Sequence, residues 1–335
     1  MKYCQYLNQG INFYHEGMTF CNTLWNHTGY LKYSKNVKKN INAFLKKRAD
    51  LIKLVNQKDF KEKCRRCPSL QDIDEKQIKV SDKFKHIEIY HWTNCNCGCF
   101  YCSNRKKTKL KIANQRNLKG KIAVVDYLKE LKRRDLIDEY AEISMTGGEP
   151  TILKELPELC NFIIENNIKT NILSNGIIYE QAIADVLKSD TDAFFMVSID
   201  CGSRVTYQKI KRVDKFDEVI KNMAKYVEEA GESADKIAIK YIILENVNDN
   251  KEEIDKWIEV CSKIGIKNFF VSIEFCHSKD SGKTDISEHI CEMYEYAKKR
   301  VTEVNPELNV LTFDFVETFI KNRSYYPISY KKEEE

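Results

Sequence analysis

The sequence has no long apolar run. None of its 335 residues lie in a stretch approaching the ~20 apolar residues that a membrane-spanning helix needs. The opening MKYCQYLNQG also lacks the apolar segment of a secretory signal. There is no internal repeat and no low-complexity linker apart from the charged tail KKEEE. We therefore expect a cytoplasmic, globular protein that does not bind a membrane, and its 42% hydrophobic residues are enough for a sizeable core.

Cysteine and basic residues are the distinctive components. The thirteen cysteines favour metal ligation over disulfides in a reducing compartment, and their odd number agrees. The net charge is +5, and residues 105–121 contain eight basic and no acidic side chains. Residues 35–66 contain twelve basic and three acidic side chains. Such runs are either solvated faces or surfaces that attract an anionic substrate.

The hydrophobic pattern predicts an α/β protein. Residues 11–21 read as a hairpin with its turn at Gly17, and a helix follows from Val37. Six apolar strands then alternate with helical patterns, at 86–93, 141–146, 170–174, 193–200, 236–244 and 268–275. This alternation predicts a parallel sheet or barrel, with too few strands for a closed eight-stranded barrel. A last strand over 309–316 is expected to cover an edge.

The first strand ends in a dense cysteine motif. Cys95, Cys99 and Cys102 form a CxxxCxxC set, with the aromatic Tyr101 before the last cysteine. Three thiolates on one short loop can hold three irons of a cubane and leave the fourth iron open to a ligand that is not protein. The alternative is a zinc loop, which this close spacing fits poorly. Cys97 falls outside the spacing.

This motif resembles that of the radical S-adenosylmethionine (SAM) superfamily. The resemblance covers roughly residues 84–280 and implies a partial (β/α)6 barrel. It also implies a [4Fe–4S] cluster whose open iron binds SAM, with Tyr101 near the cofactor. Reduction by a donor such as flavodoxin or ferredoxin would cleave SAM to a 5′-deoxyadenosyl radical.

Further motifs follow at the carboxyl ends of later strands, where α/β barrels place their active sites. The second strand ends in Gly147-Gly148-Glu149-Pro150, which in the family contacts the methionyl amino group of SAM. The third and fourth strands end in segments that resemble those lining the SAM ribose and carboxylate. From these segments the resemblance implies cofactor contacts by Ser174, Asn175, Ser198, Asp200 and Lys211.

A second set of cysteines lies near the N-terminus. Cys4 and Cys21 flank the hairpin, and Cys64 and Cys67 form a CxxC pair after the helix. Four such ligands can close one tetrahedral metal site, which zinc would also accept. The order resembles the first part of SPASM and Twitch domains and implies an auxiliary [4Fe–4S] cluster. In those families this element usually follows the barrel, whereas here it precedes it.

We therefore expect three parts: an N-terminal α+β cluster-binding domain over 1–80, a radical SAM barrel over 81–305 and a C-terminal strand and tail over 306–335. Cys160, Cys261 and Cys291 are predicted to be core residues. Cys201 and Cys276 each lie just past a strand end. They are candidate donors of a hydrogen atom or a proton, with a buried thiol as the alternative.

Several functions remain compatible with these motifs. The first is an oxidoreductase that removes hydrogen from a small anionic metabolite, a sugar or a nucleotide, with the auxiliary cluster accepting an electron. The second is a peptide or protein maturase. A nucleic-acid modifier is possible but not favoured, because no separate RNA-binding module is evident. A non-catalytic zinc protein is disfavoured by the motifs that accompany the cysteines.

Overall fold

A computed structural model of the protein describes residues 2–15, 17–21, 30–56, 70–72, 83–102, 122–275 and 285–324. The strands are β1 (Lys2–Cys4), β2 (Gly10–Tyr14), β3 (Gly17–Thr19), β4 (Leu70–Asp72), β5 (Phe84–Tyr90), β6 (Ile137–Met145), β7 (Lys169–Ser174), β8 (Ala193–Ser198), β9 (Ile237–Ile243), β10 (Asn268–Ile273) and β11 (Asn309–Leu311). The helices are α1 (Gln5–Gln9), α2 (Val37–Asn56), α3 (Val124–Arg133), α4 (Leu156–Glu165), α5 (Gln181–Lys188), α6 (Arg204–Lys211), α7 (Phe216–Ala230), α8 (Lys251–Lys263), α9 (Glu288–Val304) and α10 (Asp314–Asn322). Within the described ranges, no helix is long and apolar enough to cross a membrane.

The chain divides into two compact units. The first comprises Met1–Thr93, Arg116–Ile172 and Ser189–Ala193, and the second comprises Asn94–Gln115, Leu173–Lys188 and Phe194–Glu335. The cysteine motif and the ends of β7 and β8 therefore belong to the second unit, and the GGEP segment belongs to the first. The three predicted domains, with boundaries at 80/81 and 305/306, stay a prediction.

The first unit is built on a sheet in which most strands are parallel. Strands β2 and β3 form the predicted antiparallel hairpin. β2 also pairs in parallel with β5, which continues in parallel to β6 and then β7. Along β5 and β6, Ile87, Ile89, Ile143 and Met145 are buried, and the residues between them are more exposed, as the twofold period of a strand requires.

Helices α2 and α3 cover the apolar side of this unit. Phe44 of α2 stacks on Phe20 with ring centroids 4.2 Å apart and meets the edge of Phe84 on β5. The Arg48 guanidinium lies 4.7 Å from the centre of the Phe84 ring and donates a hydrogen bond to the Asn8 carbonyl at 3.1 Å. The helix predicted from the spacing of apolar residues after Val37 is thus anchored to the N-terminal strands by its buried face.

The second unit contains four parallel strands, β8 to β11, in sequence order. Val197, Ile239 and Val271 are fully buried on adjacent strands. Helices α6 and α7 connect β8 to β9, α8 connects β9 to β10, and α9 connects β10 to β11. The cysteines predicted to be core residues are confirmed as buried: Cys160 in the first unit, and Cys261 and Cys291 in the second.

The predicted fold class is confirmed. Each of the six central strands forms and is followed by at least one helix, so the chain is an α/β protein with parallel strands. The strand predicted over 309–316 is wrong in its second half, because β11 ends at Leu311 and α10 begins at Asp314. Val316 and Ile320 are both buried four residues apart, which is helical spacing. The alternation predicts helices between all of these strands, but it gave no bounds for α5 and α6.

Candidate active site

The cysteine motif forms an irregular loop that is fastened to the end of helix α6. The Gly98 amide donates to the Lys211 carbonyl at 2.8 Å, and the Phe100 amide donates to the Ile210 carbonyl at 3.3 Å. The Cys102 amide closes a turn onto the Cys99 carbonyl at 3.2 Å. Backbone hydrogen bonds therefore fix the middle of the motif, while the three predicted ligands, Cys95, Cys99 and Cys102, stay partly exposed.

The sulfur atoms in this loop have nearby N–H and S–H donors. The Cys97 amide lies 3.3 Å from the Cys95 Sγ, and the Asn175 Nδ2 lies 3.6 Å from the same sulfur. Asn175 also donates to the Asn96 Oδ1 at 2.6 Å. N–H donors near a thiolate suit an iron–sulfur ligand, since such hydrogen bonds help to set the properties of the cluster. Asn175 therefore lies beside a predicted cluster ligand, and its predicted contact with the cofactor stays a prediction.

Cys97 contacts two of the predicted cluster ligands, although it lies outside the ligand spacing. Its thiol is buried and hydrogen-bonded to Cys95 and Cys99, and these contacts, together with burial, raise the pKa of the Cys97 thiol. The hydrogen bond from Cys97 lowers the pKa of Cys99 to about 7 against the opposing effect of burial, and the positive charge of Lys211 adds to the lowering. The thiolate form, which binds metal, is therefore favoured at Cys99.

The three thiols of the loop suit an iron–sulfur cluster by their number and spacing. In the parts of the chain that the structure describes, no group of three His, Cys, Asp or Glu side chains is arranged to hold one ion. A cubane does not require such convergence, because each thiolate binds a different iron atom. Three thiols within eight residues, one of them with a lowered pKa, match that requirement.

A buried network lies beside the loop. The Tyr101 hydroxyl donates to the Asp200 Oδ2 at 2.5 Å, and the Lys211 ammonium contacts the same oxygen. Lys211 also donates to the Tyr101 hydroxyl at 3.1 Å. Burial lowers the pKa of Lys211, but the negative charge of Asp200 outweighs it and the pKa is raised overall. Lys211 is therefore a buried cation that is held charged.

Helix α8 supports the segment that follows β8. The Glu253 carboxylate accepts hydrogen bonds from the amides of Gly202 and Ser203 at 2.8 and 2.9 Å. Asn248 donates to the Asp200 carbonyl at 2.7 Å. Asp200 itself has a φ of 62°, a left-handed conformation that costs energy for a residue other than glycine. This local strain is offset by the hydrogen bonds around it.

Gly202 gives a first prediction. A Cβ at this position would lie 2.3 Å from the Trp257 backbone nitrogen and 2.5 Å from the Glu253 carbonyl oxygen, both in α8. Because backbone cannot move aside cheaply, we expect Gly202→Ala to lower the free energy of unfolding by about 3 kcal/mol. Thermal unfolding measures the change, and a free energy of unfolding like that of wild type would contradict the steric argument.

The GGEP segment forms a tight turn in the first unit. Gly147 has a φ of 108°, and a Cβ there would lie 3.0 Å from the Trp92 carbonyl oxygen. The Gly148 amide donates to that same carbonyl at 2.8 Å. The buried Glu149 carboxylate accepts from the Thr151 amide and hydroxyl at 3.1 and 2.7 Å, and Pro150 begins a short 3₁₀ helix. The turn therefore needs glycine at 147, and the cofactor contacts assigned to these four residues stay predictions.

The remaining predicted positions are placed as follows. Ser174 is buried, and its hydroxyl accepts from the Gly176 amide at 3.0 Å. The Ser198 hydroxyl donates to Asp200 at 3.1 Å. Cys201 is buried, which raises the pKa of its thiol, and its Sγ lies 3.4 Å from the Ile199 carbonyl oxygen. Its role as a donor stays a prediction, and Cys276 lies outside the described residues.

The N-terminal cysteines are only partly described. Cys4 ends β1, Cys21 follows the hairpin, and both are partly exposed. The Cys4 carbonyl accepts from the Asn8 side chain at 2.8 Å, and the Cys21 carbonyl accepts from the Thr19 hydroxyl at 3.2 Å. Cys64 and Cys67 lie outside the described residues, so the predicted four-cysteine site stays a prediction.

Comparison with known families assigns the chain to a superfamily. The sequence profile of the Radical SAM superfamily matches residues 89–258, just over half of the chain. The match runs from the end of β5 through the cysteine loop, the GGEP turn and Asp200 to helix α8. The chain therefore belongs to the radical SAM superfamily, whose members use a [4Fe–4S] cluster and SAM.

Two relatives show how far the similarity extends. A protein named GTPase Obg from Brachyspira hyodysenteriae (strain ATCC 49526 / WA1) is 28% identical over 188 residues, which cover 53% of this chain and 26% of that protein. A probable GTP 3′,8-cyclase from Saccharolobus islandicus (strain Y.N.15.51 / Yellowstone #2) is 26% identical over 208 residues, which cover 61% of this chain and 62% of the cyclase. The chain thus spans less than two thirds of either relative.

Among solved structures, the fold is similar to that of SuiB from Streptococcus suis. That match has a TM-score of 0.52 and 19% identity, and covers 84% of this chain and 56% of SuiB. SuiB bound to its precursor peptide SuiA gives a TM-score of 0.51 and 18% identity, with 93% of this chain and 73% of SuiB covered. At this identity the likeness supports the fold and leaves the substrate open.

Proposed function

We propose that this protein is a SAM-cleaving oxidoreductase that removes a hydrogen atom from a C–H bond of a small anionic metabolite, a sugar or a nucleotide. The observation that carries the proposal is the loop of Cys95, Cys99 and Cys102, fastened to helix α6 beside a buried lysine. When bound, the cluster and SAM supply the radical, and an auxiliary cluster at Cys4, Cys21, Cys64 and Cys67 supplies an electron acceptor.

The chain's own residues position the cluster loop and are proposed to contact SAM. The backbone bonds from Gly98 and Phe100 to the end of α6 keep the cluster loop in one conformation. Asn175 supplies an N–H donor to the Cys95 sulfur. The GGEP turn and the hydroxyls of Ser174 and Ser198 are the positions proposed to contact SAM. Holding reactants in place is the protein's main contribution when a cofactor carries the reaction.

The half-buried ammonium group of Lys240 supports the proposal of an anionic substrate. Lys240 is in register with Ser198 on the adjacent strand, so their side chains lie on the same face of the sheet. The Lys240 ammonium lies 5.8 and 5.3 Å from the ring centres of Phe270 and Phe313. A lysine beside aromatic rings suits a substrate with a phosphate and a flat or apolar part. The relatives named as probable GTP 3′,8-cyclases and the basic run 105–121 point the same way.

A peptide is the second candidate substrate. The fold similarity extends to SuiB in its complex with a precursor peptide. Strand β3 lies next to β2, but its outer edge is not free for an added strand, because the Met18 amide and carbonyl are both hydrogen-bonded to Leu31 at 2.9 Å. The anionic metabolite is preferred because Lys240 lies in register with a proposed SAM contact, whereas no described feature marks β3 as a binding edge.

Metal content and a labelled substrate test the proposal. Anaerobically purified protein should carry about eight irons and eight sulfides per chain, as two [4Fe–4S] clusters require. Four irons with one zinc would remove the auxiliary cluster from the proposal, and zinc without iron would overturn the proposal entirely. Nucleotides and nucleotide sugars deuterated at the reactive carbon should transfer deuterium to 5′-deoxyadenosine. Transfer from a peptide alone would favour the maturase.

A further inference from the structure

We infer that Tyr101, Asp200 and Lys211 form a buried network that positions the cluster loop, in place of the direct contacts to SAM that the sequence predicted for them. This inference rests on the proposed function, because it takes the loop to hold the SAM-binding cluster. The three side chains come from the loop itself, from the end of β8 and from the last turn of α6. They are named together below as the Lys211 network.

The Asp200 carboxylate is already fully engaged. Its Oδ1 accepts the Ile242 amide at 2.9 Å, and its Oδ2 accepts the Tyr101 hydroxyl and the Lys211 ammonium. The Ser198 hydroxyl lies 3.1 Å from both oxygens. A carboxylate has about four acceptor positions, and four donors already lie against this one. Because Asp200 is also fully buried, it has no remaining position for a ribose hydroxyl.

Lys211 holds the loop by two hydrogen bonds, one from its side chain and one to its backbone carbonyl. Its ammonium donates to Tyr101, the residue just before the ligand Cys102. Its carbonyl accepts the amide of Gly98, the residue just before the ligand Cys99. One residue at the end of α6 therefore fixes the positions of two of the three ligands. Its side chain is 1% exposed and ends at Asp200 and Tyr101.

A role in stability alone would explain the burial of the Lys211–Asp200 ion pair less well. Burying an ion pair is costly in desolvation, and such a pair is weak evidence for a gain in stability. Its better-attested use is to specify one arrangement among several. Here the arrangement specified is that of an irregular loop whose ligand spacing must match a cluster. The network thus makes the loop ready for the cluster before SAM binds.

The test measures how firmly SAM-free protein holds its iron. The variants are Tyr101→Phe, which removes one hydrogen bond, and Lys211→Met, which removes the cation. Lys209→Met is the control, because Lys209 is an exposed lysine in the same helix. Iron release to a ferrous chelator is followed without SAM, and release from the Cys95/Cys99/Cys102→Ala protein is subtracted to isolate the first cluster. Circular dichroism confirms that each variant is folded.

We expect iron release about tenfold faster in Tyr101→Phe and Lys211→Met than in wild type and Lys209→Met, the change that loss of one charge-assisted hydrogen bond gives. The electron paramagnetic resonance signal of the reduced, SAM-free cluster should broaden in the same two variants. Their KM for SAM should change by less than about threefold. The double variant should release iron no faster than Lys211→Met, because the two side chains act in one network.

Two results would count against the inference, and they differ from failure of the proposed function. If Lys211 contacts the SAM carboxylate directly, Lys211→Met would raise the KM for SAM about tenfold or more while iron release stayed at the wild-type rate. Iron retention like wild type in Tyr101→Phe would overturn the network even if Lys211→Met failed to fold. Wild-type protein without iron would instead overturn the proposed function, and the network with it.

Discussion

Replacing Cys95, Cys99 and Cys102 together by alanine is expected to abolish formation of 5′-deoxyadenosine from SAM under reducing conditions. The reason is that, within the described ranges, this loop combines three thiols at the spacing of the superfamily with two N–H donors near the Cys95 sulfur. The variant should keep about four irons, held by the N-terminal cysteines, so the loss of SAM cleavage would not reflect loss of all metal.

The chain offers a matched control for this experiment. Cys97 lies in the same loop and is hydrogen-bonded to Cys95 and Cys99, but it is outside the ligand spacing. Cys97→Ala removes a thiol of the same loop together with its hydrogen bonds to Cys95 and Cys99, so SAM cleavage should fall about tenfold but should not be abolished. 5′-Deoxyadenosine is quantified by liquid chromatography. Continued formation by the triple variant, or its loss in Cys97→Ala, would show that the ligands are assigned wrongly.

Replacing Cys67 by alanine is expected to spare SAM cleavage and to stop formation of the oxidised product. Under the proposed function, cleavage needs the cluster held by the loop 95–102 and does not need the N-terminal cysteines. Completing a two-electron oxidation needs a second acceptor, and the N-terminal cysteines are the other concentrated set in the sequence. Both yields are measured on the same preparation, so that cleavage acts as the internal standard.

A purely structural metal at the N-terminal cysteines would give a different result. Because metal binding and folding are coupled at such sites, its loss would unfold part of the protein and lower both yields together. Cys291→Ala is the control, since Cys291 lies in helix α9 and is expected to ligate nothing. A folded Cys67→Ala protein that lacks the second cluster yet forms product normally would indicate a redox-neutral reaction, such as an epimerisation or rearrangement.

The central fold could be predicted because its signals are local. Strand β8 is a short apolar run, AFFMVS, that stops at polar and turn-forming residues, and helix α7 repeats apolar residues at helical spacing. Helix α6 gives no such signal, since its buried side chains are Tyr207, Ile210 and Lys211. A lysine reads as an exposed residue in any hydrophobic pattern, so the buried face of α6 is not visible in the sequence.

In the candidate site, too, only the features with a local signal could be predicted from the sequence. Cysteine spacing is a property of one short segment, and it predicts Cys95, Cys99 and Cys102 as ligands. The partners of Tyr101 are 99 and 110 positions away along the chain, and no local pattern connects them. Asp200 and Lys211 were predicted as cofactor contacts because they follow a strand end, but whether such a side chain faces a ligand or another side chain depends on tertiary packing.

The pairing of β2 with β5 also affects how this protein is made. In β2, Gly10 pairs with His86, although the N-terminal hairpin leaves the ribosome long before residues 84–90 have been synthesised. Synthesis proceeds at about 5–20 residues per second. Strand β2, with its apolar residues Ile11 and Phe13, therefore exists for several seconds before β5, the strand that pairs with one of its edges, has been made. During that interval the hairpin is an unpaired strand edge, which is the kind of surface that chaperones bind. Early synthesis is therefore the stage at which aggregation of this chain is most expected.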